Sequence, residues 1–462
     1  QAEDGIRDVE RSRGLGDVYK RQIVYRPLGY QLFDNCLKIL EDLLAETGHK
    51  KCYFPLLIPE RLLSKEKDHI AGFHDSVFWV THGGLKEMEE KAALRPTSET
   101  AMYTMLSLWI DSWRDLPVKI HQSCNVYRYE TKHTRPLIRD REILWNEAHT
   151  SHATAEEARE QIKVGVKIYS ELFRRLCIPV IFINVVEGVF AGAEAAIEPY
   201  TVFPDGRVLE MGSVNNLGQK FSKAFDIKFK TKDGGEDYVY QTCYGVSERL
   251  IAAITAVHGD DKGLILPPEV APIQLVIVPI IYEEIEEKVM EECKKVKEEL
   301  KKEFRIELDD RTEITPGVKF YDWEMKGVPI RIEVGEKEID ENGITIVRRD
   351  NGEREFVKRE NVIERIRELL EEITENMRKR AEEYHAKKIK IARNMDEVKE
   401  AIENKLLAKV FWCGEIECAS KMEKSMNAPF IGTEYEKGVE GDEKCTGCGK
   451  PAKFYGFIGK TY

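Results

Sequence analysis

Arginines and carboxylates in two separated stretches carry the plainest chemistry of this sequence. Asn125 to Glu130 reads as a strand in which Arg128 and Glu130, two residues apart, share a face; Thr131 to Pro136 reads as a loop, and Leu137 to Glu142 as a returning strand bearing Arg139 and Asp140. Two guanidinium groups converging from paired strands, with a carboxylate beside them, suit polyphosphate oxygens and the edge of a nucleobase. Further on, Gly245-Val246-Ser247-Glu248-Arg249-Leu250 opens an apolar helix that continues through Ile251, Ile254 and Val257. Arg249 then stands in a first helical turn, where unbonded N–H groups already favour anions.

A second chemistry belongs to thiolates. Cys413-x4-Cys418 and Cys445-x2-Cys448 have the close-pair spacing of a four-thiolate zinc site, with Gly414, Gly447 and Gly449 supplying the turns. Four thiolates leave no open coordination position, so the zinc is expected to be structural. The other six cysteines are scattered and read as core residues. His149 and His152 near Glu147 lack an evident third ligand and are not read as a metal site.

These groups need elements to hold them. The chain has 462 residues, 33% charged and 42% hydrophobic, with net charge −12, which describes several globular domains rather than a basic coat for nucleic acid. The longest apolar run, Ile273 to Ile281, is too short to cross a membrane and is broken by Pro279. Sparse cysteines point to a reducing compartment, and the expected location is cytoplasmic. Residues 1–22 show neither periodicity, and SRGLGDVYKRQ looks like translated sequencing-adapter sequence, so this stretch is expected to be a leader foreign to the fold.

Apolar residues at Leu32, Leu37, Leu40, Leu43 and Leu44 predict a helix over 29–47 that Gly48 stops, and CYFPLLIP predicts a short strand holding Pro55. The strands KIHQSCNVYRYE, ILWNEAHTSH, VIFINVV, RVLEMGSV and DYVYQTCYG arrive without a regular helix between each, so residues 23–268 read as an antiparallel α+β domain. Leu266-Pro267-Pro268 reads as a linker. Residues 269–385 alternate strands (IQLVIVPI, FRIELDD, PIRIEVG, ITIVRRD) with charged helices at 283–303 and 363–384 and form an α/β domain; 386–462 form a small α+β domain around the cysteines.

The arginine blocks resemble motifs 2 and 3 of class II aminoacyl-tRNA synthetases, and the helix–strand unit ending at Pro55 resembles motif 1, whose proline lies at the dimer interface in that class. Arg95-Pro96-Thr97-Ser98-Glu99, Arg135-Pro136-Leu137-Ile138-Arg139, Glu147-Ala148-His149-Thr150, Asn216-Leu217-Gly218-Gln219 and His258-Gly259-Asp260-Asp261-Lys262-Gly263 together are similar to the prolyl-tRNA synthetase family, archaeal/eukaryotic type, from about Ile23 to Tyr462. The resemblance implies a class II antiparallel-sheet catalytic domain, an α/β anticodon-binding domain and a C-terminal zinc-binding domain. It implies ATP-dependent ligation of L-proline to tRNA(Pro) through a prolyl-adenylate, with Mg2+ on the polyphosphate, by a homodimer with no membrane or DNA partner. Arg128 would grip the α-phosphate and the amino-acid carboxylate, and Glu130 the adenine amino group. Arg139 and Arg249 would hold the terminal phosphates with Ser247 nearby, and Asp140, Glu210 and Ser213 would complete the ATP site. Thr97 and Glu99 would bind the secondary ammonium of proline, with Glu147, His149 and Asn215 in the same pocket. No protein nucleophile is required.

Three positions depart from that family. Asn215 stands where a histidine lines the proline pocket, Glu210 where a glutamine lies near the phosphates, and Val189 where a lysine often precedes Phe190-Ala191-Gly192-Ala193. Asn215 and Glu210 keep open two alternatives: a relative that activates a different small amino acid, or a catalytically weak tRNA-binding paralogue. The spacing of motifs 2 and 3 leaves no room for the editing insertion of bacterial relatives. Beyond Asp309-Asp310-Arg311 and Pro316 to Phe320, the run Trp323 to Gly335 resembles the anticodon-binding domain, and Glu324, Lys326, Arg331 and Arg348 are the expected base readers. Lys421-Met422-Glu423-Lys424-Ser425 mimics a class I signature but lacks an upstream Rossmann glycine loop and reads as a charged surface helix.

Overall fold

The computed structural model of the chain describes residues 15–19, 22–66, 77–129, 134–186, 192–281 and 285–462. Most of the leader 1–22 lies outside these residues, as do Glu130, Thr131, Val189, Phe190 and Ala191. The described part of the leader is structured: Gly16–Tyr19 pairs antiparallel with Gln22–Tyr25, and Leu15 is buried in the main core. The absence of periodicity over 1–22 therefore did not mean absence of a strand, because four-residue strands are too short to show one.

Helix α1 (Pro27–Glu46) begins with a proline in its first turn and buries Leu32, Leu40, Leu43 and Leu44. The chain leaves it through Gly48, whose φ of +86° suits glycine. CYFPLLIP is not one strand. β1 (Lys50–Lys51) pairs parallel with β2 (Val118–Tyr127), Leu57–Pro59 joins a separate three-stranded sheet, and Pro55 lies between them. Helix α2 (Glu99–Trp109) follows the Arg95–Glu99 block. β3 (Glu142–His152) pairs antiparallel with β2 from Glu142 to Ser151.

The succession of strands also conceals a long helix, α3 (Ala155–Arg175), started by a capping box in which Thr154 and Glu157 exchange hydrogen bonds. Its buried face carries Ile162, Val166, Tyr169, Leu172 and Phe173. Next come β4 (Ile181–Asn184), β5 (Ala195–Val202), β6 (Val208–Glu210), β7 (Gly212–Gly218) and β8 (Tyr240–Ser247). RVLEMGSV is thus two strands, broken at Met211, whose N–H bonds to Pro199 O at 2.8 Å, and DYVYQTCYG is likewise broken at Val239. Helix α4 (Arg249–His258) then buries Leu250, Ile251 and Ile254.

One face of this sheet, with Ala148, Val214, Tyr244 and Val246, packs on α1, α3 and α4. The packing is close: a Cβ on Gly165 of α3 would lie 3.0 Å from Val214. Truncating a fully buried leucine here, such as Leu40→Ala, would cost about 2–5 kcal/mol. The opposite face is free to carry polar residues.

Leu266-Pro267-Pro268 is buried rather than a solvent-exposed linker. Beyond it lies a mixed five-stranded sheet. β9 (Leu275–Pro279) pairs parallel with both β10 (Ile306–Leu308) and β11 (Ile330–Val334); β12 (Gly343–Arg348) and β13 (Arg354–Lys358) follow antiparallel. Helices α5 (Glu286–Leu300) and α7 (Val362–Lys387) cover one face, and α6 (Pro316–Lys326), absent from the expected elements, covers the other.

The C-terminal part includes β14 (Ile389–Ala392), a helix at Met395–Glu403, β15 (Leu407–Trp412), α8 (Ile416–Met426), β16 (Phe430–Gly438) and β17 (Phe454–Ile458). It does not stand apart from the catalytic sheet. β16 pairs with β4 through Thr433↔Asn184 and Glu434↔Ile183, giving one twelve-stranded sheet. Gly432 permits the junction, because a Cβ there would sit 2.2 Å from Asn184 O. At the chain's last residue, the Tyr462 hydroxyl donates to Asp205 at 2.9 Å, and the ring lies under the guanidinium groups of Arg135 and Arg207.

Candidate active site

Strand register builds the floor of one cavity. Glu147, Gly245 and Ser213 stand opposite one another across β3, β8 and β7, and the next rung on the same face is His149, Cys243 and Asn215. With Thr97, Glu99, Arg128, Arg139, Asp140, Glu210, Ser247 and Arg249 these residues line a cavity of about 370 Å3. Arg128 and Arg249, 121 positions apart, do share it.

One end is buried and tightly wired. Arg95 is locked by bonds to Phe54 O and Asn125 O, both 2.7 Å, and so sets the turn that carries Thr97 and Glu99. The Thr97 hydroxyl donates to the Glu99 carboxylate, and both residues are buried. Gln122 Nε2 bonds to Ser98 Oγ at 2.7 Å and to Glu147 Oε1 at 2.8 Å. His149 meets Tyr103 OH at 2.9 Å through Nδ1 and Glu147 at 3.4 Å through Nε2. Burial alone would raise the Glu147 carboxyl and lower the His149 imidazole. Their mutual contact overrides it, leaving Glu147 below and His149 above its ordinary range. A carboxylate-rich pocket of this kind suits a buried cation.

The other end is built from a turn and a helix start. Arg128 lies just beyond β2, not within a strand, and Leu137 to Asp140 form a tight turn closed by the Arg135↔Arg139 bridge. The expected hairpin strand is absent because Leu137 adopts φ +61° and its N–H bonds to the Asp140 carboxylate at 2.8 Å. Arg139 is exposed at the mouth. Arg249 opens α4 as expected, with Nε on Ile138 O at 3.0 Å and Nη1 on Glu210 O at 2.8 Å. Glu210 Oε2 also lies 3.4 Å from Arg249 Nη1.

Arg128 contacts Pro96 O at 3.3 Å and sits over the Trp145 ring. Burial, with Arg249 nearby, lowers its pKa from the usual arginine range, so two cations face into one space. Asp140 is pushed up to about 7 by burial, against the pull of the Leu137 N–H. Glu198 is pushed up to about 7 by burial and by Glu210, while Tyr200 OH, 2.5 Å away, pulls it back. Glu248 is raised well above its ordinary value by burial and by Asp140. A wall of crowded carboxyls, held toward their neutral forms by burial and facing two arginines, suits a polyphosphate accompanied by a cation.

Asn215 Nδ2 donates to Ser213 Oγ at 2.9 Å and to Cys243 Sγ at 3.6 Å. Cys243, Trp145, Glu198 and Glu248 line the cavity but were not singled out from the sequence. Only the strand register could have pointed to Cys243 and Trp145, and a lone cysteine in a strand gives no such signal.

Elsewhere, the four predicted thiols converge: Cys418 and Cys445 Sγ lie 3.6 Å apart, Cys413 and Cys448 3.7 Å, and all four sulfurs are within 4.8 Å of one another. Zn–S bonds of about 2.3 Å in a tetrahedron set sulfurs about 3.8 Å apart, so the set fits zinc. Lys421 to Ser425 lie on helix α8, as expected.

The four expected base readers do not form one group. Arg331 bonds to Glu324 at 3.3 Å and stacks on Phe320, while Lys326 lies over Trp323, all against α6. Arg348 is on the opposite sheet face, 8% exposed, and ion-paired to Asp350 and Glu372. Two positions of even parity, Ile344 and Ile346, share its side and pack in the α7 core, which explains its burial.

Comparison with known proteins gives three domain matches. The class II core domain of tRNA synthetases (G, H, P, S and T) matches residues 78–258, the anticodon binding domain 274–369, and the prolyl-tRNA synthetase C-terminal domain 395–462. The proline–tRNA ligase of Ignicoccus hospitalis is 46% identical over 98% of this chain and 97% of its own. That of Methanocaldococcus jannaschii is 49% identical over 89% and 92%. The structure of Giardia lamblia prolyl-tRNA synthetase in complex with prolyl-adenylate superposes with a TM-score of 0.94 at 36% identity, covering 100% of this chain and 98% of that one.

Proposed function

We propose roles for the residues of this cavity on the premise that the chain belongs to the prolyl-tRNA synthetase family, a class II aminoacyl-tRNA synthetase family. The protein is an ATP-dependent proline–tRNA ligase that works through a prolyl-adenylate. Among the relatives named above nothing favours another amino acid or a tRNA-binding paralogue. The observation that carries the reading is the convergence of Arg128 and Arg249 on one cavity whose far end holds Glu99 and Thr97.

In this reading Glu99 and Thr97 take the secondary ammonium, with Glu147 and His149 fixing the wall behind it. Arg128 takes the carboxylate and the α-phosphate. The carboxylate oxygen attacks the α-phosphorus in line, the bond to the β-phosphate breaks, and pyrophosphate leaves with its charge held by Arg249, Arg139 and Ser247. The tRNA terminal ribose hydroxyl then displaces AMP from the mixed anhydride. No side chain forms a covalent bond; catalysis is positioning and charge stabilisation. Glu130 is proposed to read the adenine amino group, and Asp140, Ser213 and Glu210 to complete the nucleotide site.

Mg2+ suits Glu210 and Glu198, hard oxygen ligands whose mutual repulsion a divalent cation relieves, and when bound it would screen the polyphosphate. Zinc at Cys413, Cys418, Cys445 and Cys448 would be structural, supported by the sulfur spacing. Glu324, Lys326 and Arg331 are proposed to meet anticodon bases of tRNA(Pro); Arg348 is better assigned to an internal ion pair. Residues 23–268, 269–385 and 386–462 are the proposed domains, with the last sharing the catalytic sheet. A homodimer is supported by exposed apolar residues around the motif 1 segment, where Tyr53 is 71% and Leu57 47% exposed. A cytoplasmic location accords with the absence, among the described residues, of a helix long and apolar enough to cross a membrane. ATP–pyrophosphate exchange stimulated by L-proline, followed by transfer to tRNA(Pro), tests the activity; exchange with no amino acid, or with another and not proline, would refute it.

A further inference from the structure

We propose that Arg349 is a positioning residue for the charging of tRNA(Pro). It latches the end of α6, where Glu324 and Lys326 are proposed to meet anticodon bases, to the turn that follows α4, the helix opened by Arg249. A tRNA bound at both places then meets them at a fixed separation. The inference deepens the ligase reading and rests on α6 as the surface that meets the anticodon.

Three contacts fix the guanidinium. Nε donates to Glu324 O at 2.9 Å, while Nη1 and Nη2 donate to the two Asp260 carboxylate oxygens at 2.9 and 2.5 Å. Such a bidentate pair uses the planar fork of arginine. The Arg349 side chain is buried, so the pair is not of the weak, solvent-screened kind. Asp260 shapes the turn it presents, because its Oδ1 also accepts from Lys262 N and Gly263 N, both at 3.0 Å.

Beside the latch the two segments run edge to edge. Leu264 N donates to Met325 O at 3.0 Å and Leu266 N to Gly327 O at 3.4 Å. Glycine permits the approach on both sides: a Cβ on Gly263 would lie 2.3 Å from Met325 Cα, and one on Gly327 2.6 Å from Leu264 Cβ. Helix α6 is pinned to its own sheet as well, by Trp323 Nε1 on the Asp309 carboxylate at 2.7 Å and Lys319 Nζ on Asp309 O at 3.1 Å. A helix tied to both domains fixes the angle between them, and its outer side leaves Tyr321 exposed for a base to stack on. ATP–pyrophosphate exchange uses the cavity alone and does not need that angle. A ligand that spans two sites does, because its second contact forms at an effective concentration set by the geometry between them.

The test compares full-length wild type, Arg349→Ala and Asp260→Asn in proline-dependent exchange and in the charging of two transcripts. One transcript is tRNA(Pro); the other is the same tRNA with its anticodon bases changed. Exchange is expected to stay within about twofold of wild type, since both residues lie outside the cavity. With tRNA(Pro), kcat/KM is expected to fall about tenfold for Arg349→Ala, and Asp260→Asn to move the same way. The altered tRNA makes no proper contact at α6, so its charging should match that of wild type and the ratio between the transcripts should shrink. A general structural fault would lower both transcripts alike, and that result, or an unchanged rate with tRNA(Pro), overturns the inference. A wild type that does not distinguish the transcripts overturns the base-reading role of α6, and this inference with it, while leaving the ligase reading intact. If Arg349→Ala loses exchange through misfolding, Asp260→Asn decides, because its side chain is 40% exposed and an amide oxygen can keep the backbone bonds of the turn.

Discussion

The two ends of the cavity are built by different means. The end proposed to take proline is laid down on a rigid sheet: residues facing one another on β3, β8 and β7 deliver Glu147, His149, Cys243 and Asn215 as two successive rungs, and every buried carboxylate there has a named partner. The end proposed to take the phosphates rests on a tight turn bearing exposed Arg139 and on a helix start, where half-buried Arg249 is held by the backbone carbonyls of Ile138 and Glu210. Burial raises its Glu198 and Glu248 carboxyls, with a further push from Glu210 and Asp140. A pre-wired pocket suits selection of a small, rigid amino acid. A looser end whose charges await a polyanion suits a substrate that brings its own charge and a metal ion.

Substitutions should separate the ends. Arg128 is proposed to meet both substrates, so Arg128→Ala is expected to lower exchange about 1000-fold, with the KM values for proline and ATP both raised. A defect confined to one substrate would break the picture of a shared centre. Next come single-end changes. Glu99→Gln should reduce kcat/KM for proline about 100-fold with ATP affinity nearly unchanged, and Arg249→Ala should do the converse. Initial-rate kinetics in both substrates decides, and a crossed pattern would contradict the division.

Arg139 stands in solvent at the mouth, where charge is screened. Arg139→Ala is expected to raise the ATP KM only about tenfold, with the difference shrinking as salt increases; a salt-independent effect would mean the side chain closes over the nucleotide. The smallest effect concerns pH. His149 is raised in the fold, so its contribution to stability is full below the ordinary histidine pKa and is lost as pH climbs through the raised value. Glu147 is lowered, so its contribution is full above the ordinary glutamate pKa and is lost as pH falls through the lowered value. The wild-type Tm should therefore exceed that of His149→Gln by about 2–4 °C near neutrality and lose that margin on the alkaline side. A constant margin across pH would assign His149 a packing role alone.

What could be read from the sequence followed the same split between local and long-range order. The cysteine pairs, the Arg249 helix and the α1 stop at Gly48 are encoded within a few residues, and each lies where spacing placed it. Strand register is not local. It hid Cys243 and Trp145, broke RVLEMGSV at Met211, and sent Arg348 to the face opposite Arg331, because one face of β12 is claimed by the α7 core. Turn conformation was equally hidden: Leu137 at positive φ turned an expected strand into the tight loop that presents Arg139. Nor did the C-terminal segment announce that β16 would extend the catalytic sheet, since pairing to β4 depends on a close approach at Gly432.

A crystal structure of the full chain with a non-hydrolysable prolyl-adenylate analogue addresses the shared cavity head-on. The account predicts the ring on the Asn215–Cys243–His149 rung, its nitrogen at Glu99, the phosphate surrogate within hydrogen-bonding reach of Arg128, and the side toward the leaving group facing Arg249. An analogue bound outside this cavity, or seated with Arg128 and Arg249 both remote from the phosphate surrogate, would contradict it.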